Sequence, residues 1–260
     1  MKKVLTGLLA ITFAFSLTGV TFAQFPVTSP ASAQLVEGNY GYVENNVTAK
    51  AFSGLNNGGI ITTGPATVSS NISNTIHYNY NDTGNISQTV KDNTGYAINN
   101  ATLRAFSGLN DSGCFGQVNT GHSMIGSDIS NFINVNESKS GGATIVGQKV
   151  ESNNGYVKNN VTAKAFSGLN EVGFFGHIDT GNSVIGSDIN NVINVNQATS
   201  MGFAGQIVKD NNGSAINNVT LKAFSGLNSG LVNTVGYSQA NSGIVNLLNS
   251  NIVSSATNPQ

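Results

Sequence analysis

Apolar and polar residues alternate with a period of two along much of this chain. In NNVTAKAFSG, residues 159–168, Val161, Ala163 and Ala165 share one face while Thr162, Lys164 and Phe166 share the other. Ala101, Leu103 and Ala105, and again Val219, Leu221 and Ala223, hold the matching positions elsewhere. Ile185, Ile189, Ile193 and Val195 likewise fall on one parity, with Asp188, Asn190, Asn194 and Asn196 on the other. Such alternation predicts half-buried β-strands. Beyond the N-terminal leader no segment carries a convincing period of 3.6. Gly, Asn and Asp punctuate the strands at matched offsets, in SGLN, DTGN and KDNNG, where they are expected to make tight turns with positive φ. The predicted fold class is all-β.

The hexapeptide AFSGLN occurs at residues 51–56, 105–110, 165–170 and 223–228, so the copies are spaced by 54, 60 and 58 residues. Each follows a basic residue (Lys50, Arg104, Lys164, Lys222) and, a little earlier, an Asn-Asn pair. This divides the chain into four imperfect repeats, residues 39–93, 94–153, 154–211 and 212–260, after an N-terminal segment over 24–38. The middle two are most alike; the last is the shortest and most divergent, as a capping repeat would be. A unit of this length with Ala-sized core residues buries too little surface to fold alone. Stacking shares one core, so a repeat β-solenoid or stacked cross-β architecture is expected. Each unit has room for four or five short strands, which suggests two or three rungs per repeat.

Stacking places equivalent residues above one another. The pairs Asn45 and Asn46, Asn99 and Asn100, Asn159 and Asn160, and Asn217 and Asn218 are therefore expected to form hydrogen-bonded ladders that serve assembly. Phe52, Phe106, Phe166 and Phe224, with Gly54, Gly108, Gly168 and Gly226, are expected to serve packing between repeats. The basic column favours at least two rungs per repeat. Like charges one strand spacing apart, about 4.8 Å, repel by roughly 0.9 kcal/mol per neighbour in water-like dielectric, and doubling the distance halves this.

The leader MKKVLTGLLAITFAFSLTGVTFAQ has a basic start, an apolar stretch and a small-x-small end at Ala23, the layout of a secretory signal peptide over residues 1–23. A secreted, extracellular or cell-surface location follows, with no stable membrane insertion. Charged residues are 9% of the chain, far below the quarter usual for globular proteins, and net charge is −1. That balance provides no footprint for nucleic acid or an anionic membrane. The single cysteine, Cys114, excludes an internal disulfide and a cysteine metal cluster; it is expected to be a packed or half-exposed thiol, with an intermolecular disulfide as the alternative.

Candidate chemistry is sparse. Asn-x-Ser/Thr sequons follow from the repeat composition, and Gly-Ser-Asp at 126–128 and 186–188 lacks the tandem aspartates of calcium-binding β-rolls. His77, His122 and His177 do not recur from repeat to repeat, no acidic position recurs in all four, and no signature frames a nucleophilic serine. No enzyme, metal or cofactor is expected.

NNATLRAFSGLNDSGCFGQVNTG and NNVTAKAFSGLNEVGFFGHIDTG contain an NNA-like opening, a short x-S/N-G-x element and a G-x-x-G stretch. In these features the chain resembles bacterial functional amyloid subunits, most nearly the Fap-type fibre subunits, over most of residues 39–251. It departs from them in lacking a terminal Cys-x-x-Cys pair and in running its repeats nearly end to end. Curli subunits are a weaker comparison, since their regular Gln ladder is missing. The resemblance implies an exported monomer that polymerises with itself into an extracellular fibre supporting a biofilm matrix or adhesion. It also implies a minor nucleating subunit and a secretion chaperone or outer-membrane pore as partners. The alternative is a monomeric β-solenoid adhesin that binds a glycan or surface.

Overall fold

The alternating segments form strands, and each strand finds its partners in the neighbouring repeats. The computed structural model describes residues 32–82, 86–140 and 145–255, so the expected signal peptide lies outside the described residues. A first layer contains β1 (Ser32–Glu37), β2 (Tyr40–Phe52), β3 (Ile60–Thr62) and β4 (Ala66–Asn81). A second contains β5 (Ile86–Lys91), β6 (Thr94–Phe106), β7 (Asp111–Ser112), β8 (Gln117–Thr120) and β9 (Ser123–Ser140). A third contains β10 (Ile145–Glu151), β11 (Asn154–Phe166), β12 (Glu171–Val172), β13 (His177–Thr180), β14 (Ser183–Ile193) and β15 (Asn196–Ser200). The fourth contains β16 (Phe203–Lys209), β17 (Asn212–Phe224), β18 (Val232–Val235), β19 (Ser238–Leu248) and β20 (Asn251–Ser255).

The described residues form an all-β fold of parallel sheets. Sheets run in repeat order: β1-β5-β10-β16, β2-β6-β11-β17 and β3-β8-β13-β18, with β9 at the centre of the largest, between β4 and the β14/β15 pair. Register follows the hexapeptide, so that Phe52, Phe106, Phe166 and Phe224 are consecutive partners. One repeat therefore makes one layer, not the two or three rungs expected from its length. Strands of the same repeat form different sides around a core instead of pairing with each other. The basic column is accordingly contiguous, Lys50 beside Arg104, Arg104 beside Lys164 and Lys164 beside Lys222. The electrostatic argument for wider spacing fails because these side chains lie on the solvent face, where they can splay apart.

The core lies between the β2-β6-β11-β17 sheet and the sheet centred on β9. Small residues of the first sheet meet large ones of the second: Ala101 and Val161 pack on Ile72, Ile129 and Ile189, and Ala97 and Val157 on Ile76, Ile133 and Ile193. Small-against-large pairing lets two in-register sheets interdigitate. A smaller cluster, Ile61, Val118, Val172 and Ile178, fills the side next to β8.

Two local expectations need correction. Asn194 and Asn196 are fully buried, not outward-facing. Asn194 takes φ 54°, as do its column-mates His77 (54°), Asn134 (53°) and Asn249 (53°), and this left-handed residue turns a corner that resets the alternation. In SGLN the left-handed residue is Leu55, Leu109, Leu169 or Leu227, at φ 62–65°, and not the glycine. The glycines have another task, described next.

Candidate assembly surface

Each residue of AFSGLN has a place in the stack. The Ala side chains enter the core. The Phe rings stack outside it, with centroids 5.0, 4.9 and 5.0 Å apart and planes within 11° of parallel. The hydroxyls of Ser53, Ser107, Ser167 and Ser225 donate to the carbonyls of Gly64, Gly121, Gly181 and Gly236. A Cβ on Gly54 would overlap the Gly108 carbonyl oxygen, one on Gly108 that of Gly168, and one on Gly168 that of Gly226. These glycines allow successive layers to approach at hydrogen-bonding distance, where Leu55, Leu109 and Leu169 donate their N–H to the same carbonyls.

The terminal Asn of the motif forms a ladder. Asn56, Asn110 and Asn170 each donate Nδ2 to the Oδ1 one layer on, at 3.0, 2.9 and 3.0 Å. The Asn pairs split between two environments. Asn45, Asn99, Asn159 and Asn217 point inward and interlock with Asn74, Asn131, Asn191 and Asn246 of the opposite sheet. There Asn99 donates both to Asn131 (2.9 Å) and to Asn159 (2.8 Å), and Asn191 donates to Asn217 (3.1 Å) and Asn246 (2.7 Å). Asn46, Asn100, Asn160 and Asn218 form a second ladder on the outside, at 2.7–2.8 Å. In the interior, where unpaired amides cost about 1–3 kcal/mol each, a continuous ladder satisfies every rung except those at its ends.

Sequence reasoning missed the opposing Asn column and a glutamine column. Gln34, Gln88, Gln148 and Gln206 are consecutive partners, with Gln88, Gln148 and Gln206 each donating to the glutamine one layer nearer the first, so the expected lack of a Gln ladder is corrected. The same 54, 60 and 58 residue offsets that relate the AFSGLN copies relate these glutamines, and that offset is the signal by which the Gln column is legible; the opposing Asn column is spaced by 57, 60 and 55 residues and does not follow the hexapeptide. A charged column alternates in sign: Glu37, Lys91, Glu151 and Lys209. In it Glu151 is held below the usual carboxylate range, first by its hydrogen bond from Lys149 at 3.0 Å and then by the lysines around it.

Among the described residues the first and last layers each leave one edge unpaired. Their strands are markedly more exposed than those of the middle layers: β6 and β11 bury every second residue, whereas none of β2 or β17 is fully buried. Sequence does not cause this difference, because β2 and β11 both read NNVTAKAF at their ends. The last layer also ends in unmet demands. Asn228 Nδ2 is buried without a hydrogen-bond partner, although its three column-mates each have one. Gly226 lacks the opposing carbonyl, and a Cβ there would meet only Val235 Cγ1 at 3.5 Å.

Elsewhere, Asp128 and Asp188 stack on the outer face of the β9 sheet. Partial burial, and then the Asp188 carboxylate, raise the pKa of Asp128. Cys114 is free and exposed. No group of three His, Cys, Asp or Glu side chains among the described residues is arranged to hold a metal ion. No helix among them is long and apolar enough to cross a membrane. No family model matches this chain, and neither a curated protein nor a solved structure matches it.

Proposed function

We propose that the four layers are coils of one β-solenoid and that the protein is a secreted structural subunit, polymerising into an extracellular amyloid-like fibre that supports a biofilm matrix or adhesion. The observation that carries this reading is the complementarity of the two open ends. The last layer offers Asn217, Asn218, Val219, Thr220, Lys222, Ala223 and Phe224 in the order in which the first offers Asn45, Asn46, Val47, Thr48, Lys50, Ala51 and Phe52. A second copy set on the last layer continues every ladder. Asn56 Oδ1 of that copy would accept from Asn228 Nδ2, and Glu37 would extend the alternating column beyond Lys209. Two last layers facing each other would oppose donor to donor and Lys209 to Lys209. Parallel edges left open in this way are templates for a further strand, and end-to-end addition would bring the cross-β spacing with it.

The test uses the chain from Gln24, incubated at neutral pH and examined by electron microscopy and X-ray fibre diffraction. Ordered fibres with a meridional reflection at about 4.7–4.8 Å are expected. A persistent β-rich monomer would overturn the proposal. Export by the leader and the partners implied by the resemblance rest on the sequence alone.

A further inference from the structure

The outer face of the β2-β6-β11-β17 sheet gathers cations that the chain as a whole hides. Lys50, Arg104, Lys164 and Lys222 form one uninterrupted row, and Lys158 stands six residues before Lys164 on the same face. The one carboxylate on that face, Glu44, is engaged by Tyr42 at 2.8 Å and Asn46 at 3.1 Å. Among the described residues the ion pairs lie on another sheet, at Lys149, Glu151 and Lys209. Arg104 Nε is buried without any acceptor. On one side the row is bordered by the stacked Phe column and on the other by Thr48, Thr102, Thr162 and Thr220, then by the outer Asn ladder.

We propose that this face binds a linear acidic polysaccharide lying along the stack, with its carboxylates on the Lys and Arg row. The spacing is the first reason. The row carries one cation per strand spacing, about 4.8 Å, in a straight line, which suits an extended polymer with one carboxylate per sugar ring better than duplex DNA, whose phosphates advance about 3.4 Å along the helix axis on each strand and wind away from a straight row. The rings supply the second. Because the Phe rings face each other at 4.9–5.0 Å, they present edges outward along the row, and the middle rings, Phe106 and Phe166, have no free face on which a nucleobase could stack. An apolar ridge of ring edges suits the C–H side of a sugar, and the neighbouring Thr hydroxyls and Asn amides suit its hydroxyls. The site exists on a single copy and does not depend on the fibre reading; in a fibre it would continue from Lys222 to Lys50 of the next subunit.

The experiment measures binding of the full mature chain to immobilised polygalacturonate, with neutral dextran and duplex DNA as comparisons, while assembly is scored separately by electron microscopy. Binding to polygalacturonate should exceed binding to both and weaken as salt shortens the screening length from about 30 Å to 8 Å. Replacing the row by Gln (K50Q, R104Q, K164Q and K222Q together) should weaken it by about tenfold or more. The single exposed change Lys139→Gln, on β9, should leave it within about twofold. Lys164→Gln alone, which removes one charge from a solvent-facing side chain, should give an intermediate loss even if the fourfold variant does not fold. Equal affinity for DNA, no preference over dextran, or equal binding by Lys164→Gln and Lys139→Gln would each overturn the proposal. So would low-salt bundling that Asp128→Asn with Asp188→Asn abolishes, since the occupant would then be a second copy's acidic face.

Discussion

Gly226→Ala separates the fold of one chain from the assembly of many. In the internal layers a methyl at Gly108 or Gly168 overlaps the carbonyl oxygen of the next layer. The backbone there must shift, and Leu109 or Leu169 loses its bond to that carbonyl, now 3.2 or 3.1 Å long. Overpacking of this kind costs about 1–3 kcal/mol, and a lost backbone hydrogen bond adds about 1 kcal/mol. At Gly226 the same methyl reaches only Val235 Cγ1, an ordinary contact at 3.5 Å, and the glycine is not in a left-handed conformation. Its restriction of the unfolded chain should therefore leave stability unchanged or raise it by about 0.4–1 kcal/mol. In the proposed fibre, however, residue 226 faces Gly54 of the next copy, and the methyl would meet its carbonyl as it does inside the stack. Thermal melts followed by circular dichroism should show Gly168→Ala destabilised and Gly226→Ala at or above the parent. Elongation of parental seeds by Gly226→Ala chains, followed by a fibre-binding dye and electron microscopy, should be blocked: at the seed's first-layer end the incoming residue 226 meets the Gly54 carbonyl at once, and at the last-layer end growth stops after one added copy, which then presents Ala in place of Gly226. If Gly226→Ala fibres grow at the parental rate with the cross-β reflection intact, subunits join in a different register. Fibre formation as such would survive that result. If it melts as low as Gly168→Ala, the geometric argument itself is wrong.

Three further predictions follow from the ladders and charges. Asn159→Ala removes one of the buried bonds made by each of Asn99, Asn191 and Asn217 and should cost about 2–4 kcal/mol in urea unfolding, against about 1 kcal/mol or less for Asn160→Ala on the outer ladder. Because partial burial and the Asp188 carboxylate raise the pKa of Asp128, the folded chain binds that proton more tightly than the unfolded one. Asp128 thus opposes folding above its raised pKa and ceases to do so as pH falls through it. Asp128→Asn should raise the melting temperature at pH 7, with the gain gone by about pH 3. Lys209→Gln loses only an exposed 4.0 Å contact with Glu151, so stability should hold while fibre elongation slows and loses part of its salt dependence; unchanged elongation would argue against the Lys209–Glu37 contact between subunits.

Much of the architecture was legible in the chain. Period-two alternation identified Ala101, Leu103, Ala105 and their equivalents as core, and all three are buried. Recurrence of AFSGLN at 54, 60 and 58 residue spacings foretold that equivalent residues would stack, and the Asn pairs do form ladders. What misled was reading each repeat as several rungs, because the strands within a repeat look alike in composition. Which strand pairs with which depends on corners such as Asn134 and Asn194, whose left-handed backbone no alternation rule anticipates.

The sequence by itself determined the β class, the fourfold repeat, the inward and outward parity of most strands and the identity of residues able to form ladders, since these depend on local periodicity and on copies recurring at matched offsets. Only the tertiary structure decided that one repeat is one layer, that Gly54, Gly108 and Gly168 serve interlayer approach while Leu takes the left-handed turn, that the cations collect on one face of a nearly neutral chain, and that, among the described residues, the two end layers each leave an edge unpaired. Each of those depends on which residues become neighbours across 54 to 60 positions of chain. Pairing at that distance is set by how the whole layer closes around its core.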